Sequence, residues 1–235
     1  MKKFISIILS LLMLFTMSVT AFAAEQPESQ TNTDFNLIEY LKENPVSTKS
    51  EFLSAILENG SDLAVASISS AVPASTQNGT EEFSYIIDEE SQLVYVKTLW
   101  KGEEKQVQTT KAAGTVWQVD ASTQYEAYSI VGIHVFTVTT SGTFEYDMSS
   151  YCKVIKSQGF FNPAFLSLWS ASTWISPGNY TTKSAYIDTY GTANLNFSIA
   201  EILGITLNFQ SVNYTLELTC DHMGVLDAWY SSTEV

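Results

Sequence analysis

The sequence predicts a mainly β protein, an antiparallel β-sandwich or open barrel with a small N-terminal helical arm. Three observations predict it. Apolar residues change from helical spacing to an alternation of two at Gly79. Beyond that point strand-length runs recur between short polar turns with no helical pattern among them, which excludes a parallel α/β sheet and suits antiparallel pairing. Finally, residues 130–146 return in weaker form as residues 202–218, a weak internal repeat in which Gly132 matches Gly204, Ile133 matches Ile205, Thr143 matches Thr215 and Glu145 matches Glu217.

At the N-terminus, Lys2 and Lys3, an apolar run over 4–19 and the small-x-small site Ala21-Phe22-Ala23 read as a signal peptide, residues 1–23. The run is too short and too early to be a permanent membrane anchor. No cysteine follows the site and the tail carries no sorting-type segment, so a secreted, extracellular product without a covalent anchor is expected. Eleven lysines and no arginine, with so short a leader, suggest a bacterial exporter with a single membrane.

Residues 24–79 comprise a flexible start, the helical arm and a linker. Asp34 precedes Phe35, Leu37, Ile38, Tyr40 and Leu41 at helical spacing, and Pro45 ends that run. Thr48 and Glu51 form a capping box before the stripe Phe52, Leu53, Ile56, Leu57, with Asn59-Gly60 as the stop. Residues 63–72 suit a helix or a strand, and 73–79 is the linker.

The β domain is residues 80–235. Phe83, Tyr85 and Ile87 alternate with polar or second-face positions, 88–91 turns the chain, and 93–100 returns. After a turn at 101–104, 105–111 is a polar edge strand, and 116–120 and 125–130 are two further strands. The stretch 130–146 reads as a strand pair about a hairpin turn at Thr140-Ser141-Gly142, and its second apolar face (His134, Phe136, Val138) makes it central. Gly132 and Gly204 mark a bulge or a close backbone approach. Residues 185–199 alternate cleanly, with Gly191 as an interruption, whereas 159–179 fits no period.

The chain carries a net charge of −14, or −16 once the leader is removed, and such a field repels nucleic acid and anionic lipid. Charged residues at 15 % and aromatics at 13 % are too apolar a mixture for disorder. Cys152 and Cys220 share inward parity with the core residues of their strands, so export makes them a disulfide candidate, with two buried free thiols as the alternative.

No nucleophile elbow, zinc-protease helix, Cys-x-x-Cys, phosphate loop or dinucleotide fingerprint is present, so no catalytic residue, metal or cofactor is assigned. His134 reads as a core or edge histidine and His222 as a turn residue. Glu145 and Glu217, beside Asp147 and Asp221, are matched outward acids that a glycoside hydrolase would need at a set separation; with Asp188 and Glu126 they also suit weak calcium binding. The aromatics are the stronger lead. Tyr186 and Tyr190 flank Asp188 on the polar face of one strand, with Trp169 and Trp174 just before them, a composition that fits a sugar ring or a protein anchor. The expectation is a non-enzymatic extracellular binding module for a glycan, the cell wall or a protein partner. Rival readings are a membrane-active protein, since residues 180–199 have the length and alternation of an amphipathic hairpin, and a carboxylate-dependent hydrolase. No sequence feature specifies an oligomeric state.

Overall fold

Ten strands form two antiparallel sheets in a computed structural model that describes residues 35–69, 78–107, 115–163, 169–195 and 211–234. The expected leader, the flexible start, most of the linker and residues 202–210 of the second repeat copy lie outside the described residues. The first sheet runs β1 (Gly79–Asp88), β2 (Leu93–Gly102), β4 (Val116–Ser129), β5 (His134–Tyr146), β6 (Cys152–Pro163), with β3 (Lys105–Val107) also paired to β4. The second runs β10 (Leu226–Glu234), β9 (Ser211–Asp221), β8 (Ser184–Leu195), β7 (Trp169–Thr181). This is the β-sandwich that the alternation predicts.

The core between the sheets has two halves. Leu93, Tyr125, Phe136 and Val138 meet Ala193, Val212, Tyr214 and Leu216 in one, and Val119, Phe144, Tyr146 and Cys152 meet Ile187, Leu218 and Cys220 in the other. A waist of small residues lies between them. Thr140 donates its hydroxyl to the carbonyl of Leu216 on the opposite sheet at 2.8 Å, and a Cβ added at Gly142 would stand 2.3 Å from Ile187 Cδ1.

That waist overturns two expectations. Thr140-Ser141-Gly142 is no hairpin turn: β5 runs straight through it, and Gly142 serves the close approach of the sheets. The turn is instead at 130–133, where Gly132 takes φ +80 and donates its N–H to Ser129 O at 2.8 Å. Residues 116–129 are likewise one strand, because Ala121 and Thr123 are merely small inward residues, with the buried Thr123 hydroxyl donated to Thr98 O at 3.0 Å. Gly191 does not interrupt β8 either. The stretch expected to be irregular supplies the end of β6 and most of β7; its pattern is masked by Pro177 and Gly178, which an edge strand tolerates.

Three helices, α1 (Leu37–Glu43), α2 (Lys49–Asn59) and α3 (Asp62–Ser69), form a third layer on the outer face of the first sheet. The first starts two residues later than its pattern suggests, because Asn36 caps it by accepting from Glu39 N–H at 3.1 Å. The second has the predicted capping box, with Thr48 Oγ1 and Glu51 each accepting a backbone N–H of the other at 3.2 Å. Leu37, Leu41, Phe52, Ile56 and Ile68 bury themselves against Val94, Val96, Tyr128 and Ile133, and Leu37 N–H donates to Ile130 O at 2.7 Å.

Under this layer the two-faced strand β5 finds its reason. His134 is 1 % exposed; its backbone N–H donates to Ser67 Oγ at 2.9 Å and its ring Nε2 meets Thr137 Oγ1 at 2.8 Å. Burial, with the nearby Lys49 charge, pushes its pKa down to about 4 from 6.5. A base with a depressed folded pKa leaves the unfolded chain binding more protons between those values. The protein therefore loses stability as pH falls from about 6.5 to about 4, by about 3 kcal/mol from this group. Asp188 titrates in the same window with the opposite sign, its folded pKa being raised to about 6. Urea unfolding at pH 7 and pH 4.5 should thus show a smaller acid loss in His134→Gln than in the wild type, a comparison from which the Asp188 contribution cancels. Equal losses would place the histidine in contact with solvent.

Candidate functional site

Four of the five aromatic and acidic residues singled out from the sequence come together on one surface, the outer face of the second sheet. Ala185, Ile187 and Ala193 of β8 and Leu216 and Leu218 of β9 fill the core, so the intervening positions face outward. Register then fixes the neighbours: Trp174 lies opposite Tyr190, Ser176 opposite Asp188, Gly178 opposite Tyr186, Asp188 opposite Glu217, and Trp229 opposite Glu217 on the far side. Trp174 and Tyr190 stack with ring centroids 6.2 Å apart, and Tyr180 packs on Tyr186 at 4.6 Å. Trp174, Tyr180 and Trp229 are 53, 58 and 55 % exposed, so these rings cover the sheet without being buried by it. The backbone of Trp169 pairs with Leu195 at the start of β7, and its side chain lies outside the described residues.

At the centre of the rings sit two carboxyl groups. Burial, followed by the charge of Glu217 and a hydrogen bond to it, raises the Asp188 pKa to about 6. Tyr180 donates its hydroxyl to Glu217 Oε2, and that bond is the largest cause of a tyrosine pKa pushed up to about 12. The face continues as a polar ladder in which Thr192 donates to Asn213 Oδ1 at 2.7 Å and Ser211 to Asn194 Oδ1 at 3.0 Å. It thus offers flat apolar rings around two neighbouring carboxyl groups, of which Asp188 can donate or accept on either side of about pH 6.

The pairing of Asp188 with Glu217 was beyond the sequence reading, which matched Glu217 with Glu145. Those two glutamates are not neighbours across a sheet. Glu145 lies on the outer face of the first sheet, since Phe144 and Tyr146 beside it are core, and Glu217 lies on the outer face of the second, with the sandwich between them. Glu145 is occupied locally: Lys153 Nζ stands 2.6 Å from Oε1, and Gln118 and Tyr151 donate to it at 2.8 and 3.1 Å. Burial alone would raise its pKa, but these partners together hold it below the ordinary value. Asp147 and Asp221 are turn residues. Asp147 accepts from the N–H groups of Ser149, Ser150 and Tyr151, and Asp221 from those of Met223 and Val225. His222 sits in the same turn, its N–H donated to Lys183 O at 2.7 Å. Glu126 is buried under the helical layer, away from both faces' solvent.

Cys152 and Cys220 come from different sheets into one half of the core and are free thiols in this structure. Their interaction pushes the Cys152 thiol down and the Cys220 thiol up, and Cys220 Sγ donates to Asp221 O at 3.4 Å. Among the described residues no group of three or more His, Cys, Asp or Glu could hold a metal ion, and no helix is long and apolar enough to cross a membrane.

No family model matches the chain, and neither a curated protein nor a solved structure matches it significantly.

Proposed function

We propose that the protein is an extracellular, non-enzymatic binding module whose ligand face is the outer face of the second sheet, with glycan chains as the ligand class. The observation that carries this is the two ring pairs, Trp174 stacked with Tyr190 and Tyr180 tilted against Tyr186, bordering the Asp188–Glu217 pair on one exposed surface. A sugar presents an apolar C–H face and hydroxyl groups that both donate and accept, so it needs flat rings beside short polar groups. The leader pattern of residues 1–23 supports an extracellular location.

Two features favour binding over the rival activities. Hydrolysis of a glycoside by two carboxyls requires room for the sugar or a water between them, whereas Asp188 and Glu217 are direct cross-strand neighbours and Glu217 already accepts the Tyr180 hydroxyl. Insertion of 180–199 into a bilayer would need apolar positions free to meet lipid, and Ala185, Ile187 and Ala193 already fill the core between the sheets.

The test is binding of the purified protein to a glycan array and to insoluble polysaccharides and bacterial cell walls, beside Trp174→Ala and Tyr190→Ala variants checked for folding by circular dichroism. Both substitutions fall on exposed side chains, so the fold should be retained. Each variant is expected to bind about tenfold more weakly or worse, roughly 1.4 kcal/mol or more. A folded wild type that binds none of these materials, or variants that bind as well as it does, would remove the glycan reading.

A further inference from the structure

The opposite outer face, on the first sheet beyond the helical layer, holds a cavity of about 570 Å³ lined by Trp100, Asp120, Ser141, Thr143, Lys156 and Gln158. It shares no residue with the ring stacks and stands on separate observations from the reading above. Register builds it: Asp120 pairs with Thr143, Thr143 with Lys156, and Ser141 with Gln158, so three adjacent strands β4, β5 and β6 supply neighbouring polar groups. Trp100 closes the side toward β2.

The indole is seated by two glycines. Gly79 and Gly102 are register partners, and a Cβ at Gly79 would stand 2.5 Å from Trp100 Nε1 while one at Gly102 would stand 2.9 Å from its Cη2. With neither side chain present, the ring lies across the backbone of both residues and forms a fixed apolar wall. Across the cavity the Asp120 carboxylate is oriented as an acceptor: Thr143 donates to its Oδ1 at 2.6 Å, and Lys105 Nζ lies 3.9 Å from its Oδ2. Lys156 and Gln158 bring N–H donors to the same space.

We propose that this cleft is a second carbohydrate site, which takes one or two pyranose rings of a neutral glycan. The apolar face of a ring packs on the Trp100 indole, adjacent hydroxyls donate to Asp120, and Lys156 and Gln158 donate to the hydroxyl oxygens. The cavity volume falls in the range of about 300–1,000 Å³ common for small-ligand sites. A mixed donor and acceptor set beside a single indole suits a neutral polyol better than a phosphate, which would want several cations, or a lipid chain, which would leave Asp120 and Lys156 unsatisfied.

The test is a titration of the purified, nitrogen-15-labelled protein with cellobiose, maltose, chitobiose and lactose, following the indole N–H resonance of Trp100, identified as the one lost in Trp100→Phe. At least one disaccharide is expected to move that resonance in a saturable way. Lys156→Ala and Asp120→Asn, both at exposed positions, should weaken the effect roughly fivefold or more, and Trp174→Ala should leave it unchanged. The proposal is overturned if none of the four sugars moves the resonance at concentrations that reveal millimolar affinity. It is equally overturned if Lys156→Ala and Asp120→Asn bind like the wild type, or if the shift disappears in Trp174→Ala and so originates on the other face.

Discussion

Replacing Lys49 by Met should lower the unfolding free energy by about 3–5 kcal/mol, a large share of the total stability of a single domain. Lys49 Nζ stands 2.7 Å from Glu126 Oε2 and donates to Gln124 Oε1 at 3.2 Å, and the Glu126 side chain is 1 % exposed. Without the ammonium, a carboxylate is left under the helical layer with only the Tyr128 hydroxyl, 3.4 Å from Oε1, to offset its lost hydration. Position 49 is the first residue of α2, where the helix dipole disfavours a cation, so the attraction to Glu126 must outweigh that local cost. The double variant Lys49→Met/Glu126→Leu should recover most of the loss, because an apolar pair of similar volume replaces the buried ions without a desolvation cost. Chemical unfolding of the wild type, both single variants and the double variant closes the cycle. A Lys49→Met cost below about 1 kcal/mol would mean that the pair behaves as a solvated surface bridge and that the helices do not seal that face.

The same layer shows what the sequence could and could not convey. Local signals were legible: Thr48 and Glu51 announce α2 through capping chemistry, and the period change at Gly79 announces the sandwich, because both depend on residues close in the chain. The apolar second face of β5 was legible as well, through His134 and its neighbours, but not what covers it, which comes from 67 positions earlier in the case of Ser67. Small residues misled most. Thr140, Ser141 and Gly142 have the composition of a turn, yet here they are the waist at which two sheets approach, and only the position of Ile187 on the other sheet distinguishes the two uses. The candidate site divides in the same way. That Tyr186, Asp188 and Tyr190 share a face follows from alternation along one strand, whereas the partners Trp174, Tyr180, Glu217 and Trp229 follow from register among four strands. Glu217 was visible as an outward acid; that its neighbour is Asp188 and not Glu145 required knowing which sheet each strand joins.

Oxidation of Cys152 and Cys220 to a disulfide should raise stability by about 4 kcal/mol, because the bond would close the long loop 152–220 in the unfolded chain. Both residues are 1 % exposed, both lie in the same half of the core, and each thiol shifts the other's pKa, so the two sulfurs are already neighbours. The link would join the edge strand β6 of one sheet to the inner strand β9 of the other within one half of the core. The electrons leave by thiol–disulfide exchange with an external disulfide, which the oxidising conditions outside the cell supply and the cytosol does not. Protein treated with an external disulfide such as oxidised glutathione should therefore show no free thiol when titrated in denaturant, and should regain two on reduction. Reduced protein, or Cys152→Ala/Cys220→Ala, should unfold at lower denaturant than the oxidised form. Two free thiols in protein so treated, with no stability change on adding a reductant, would establish the pair as an ordinary buried core contact. In that case the double alanine variant would lose only what its two small cavities cost, and that half of the core would be held by packing alone.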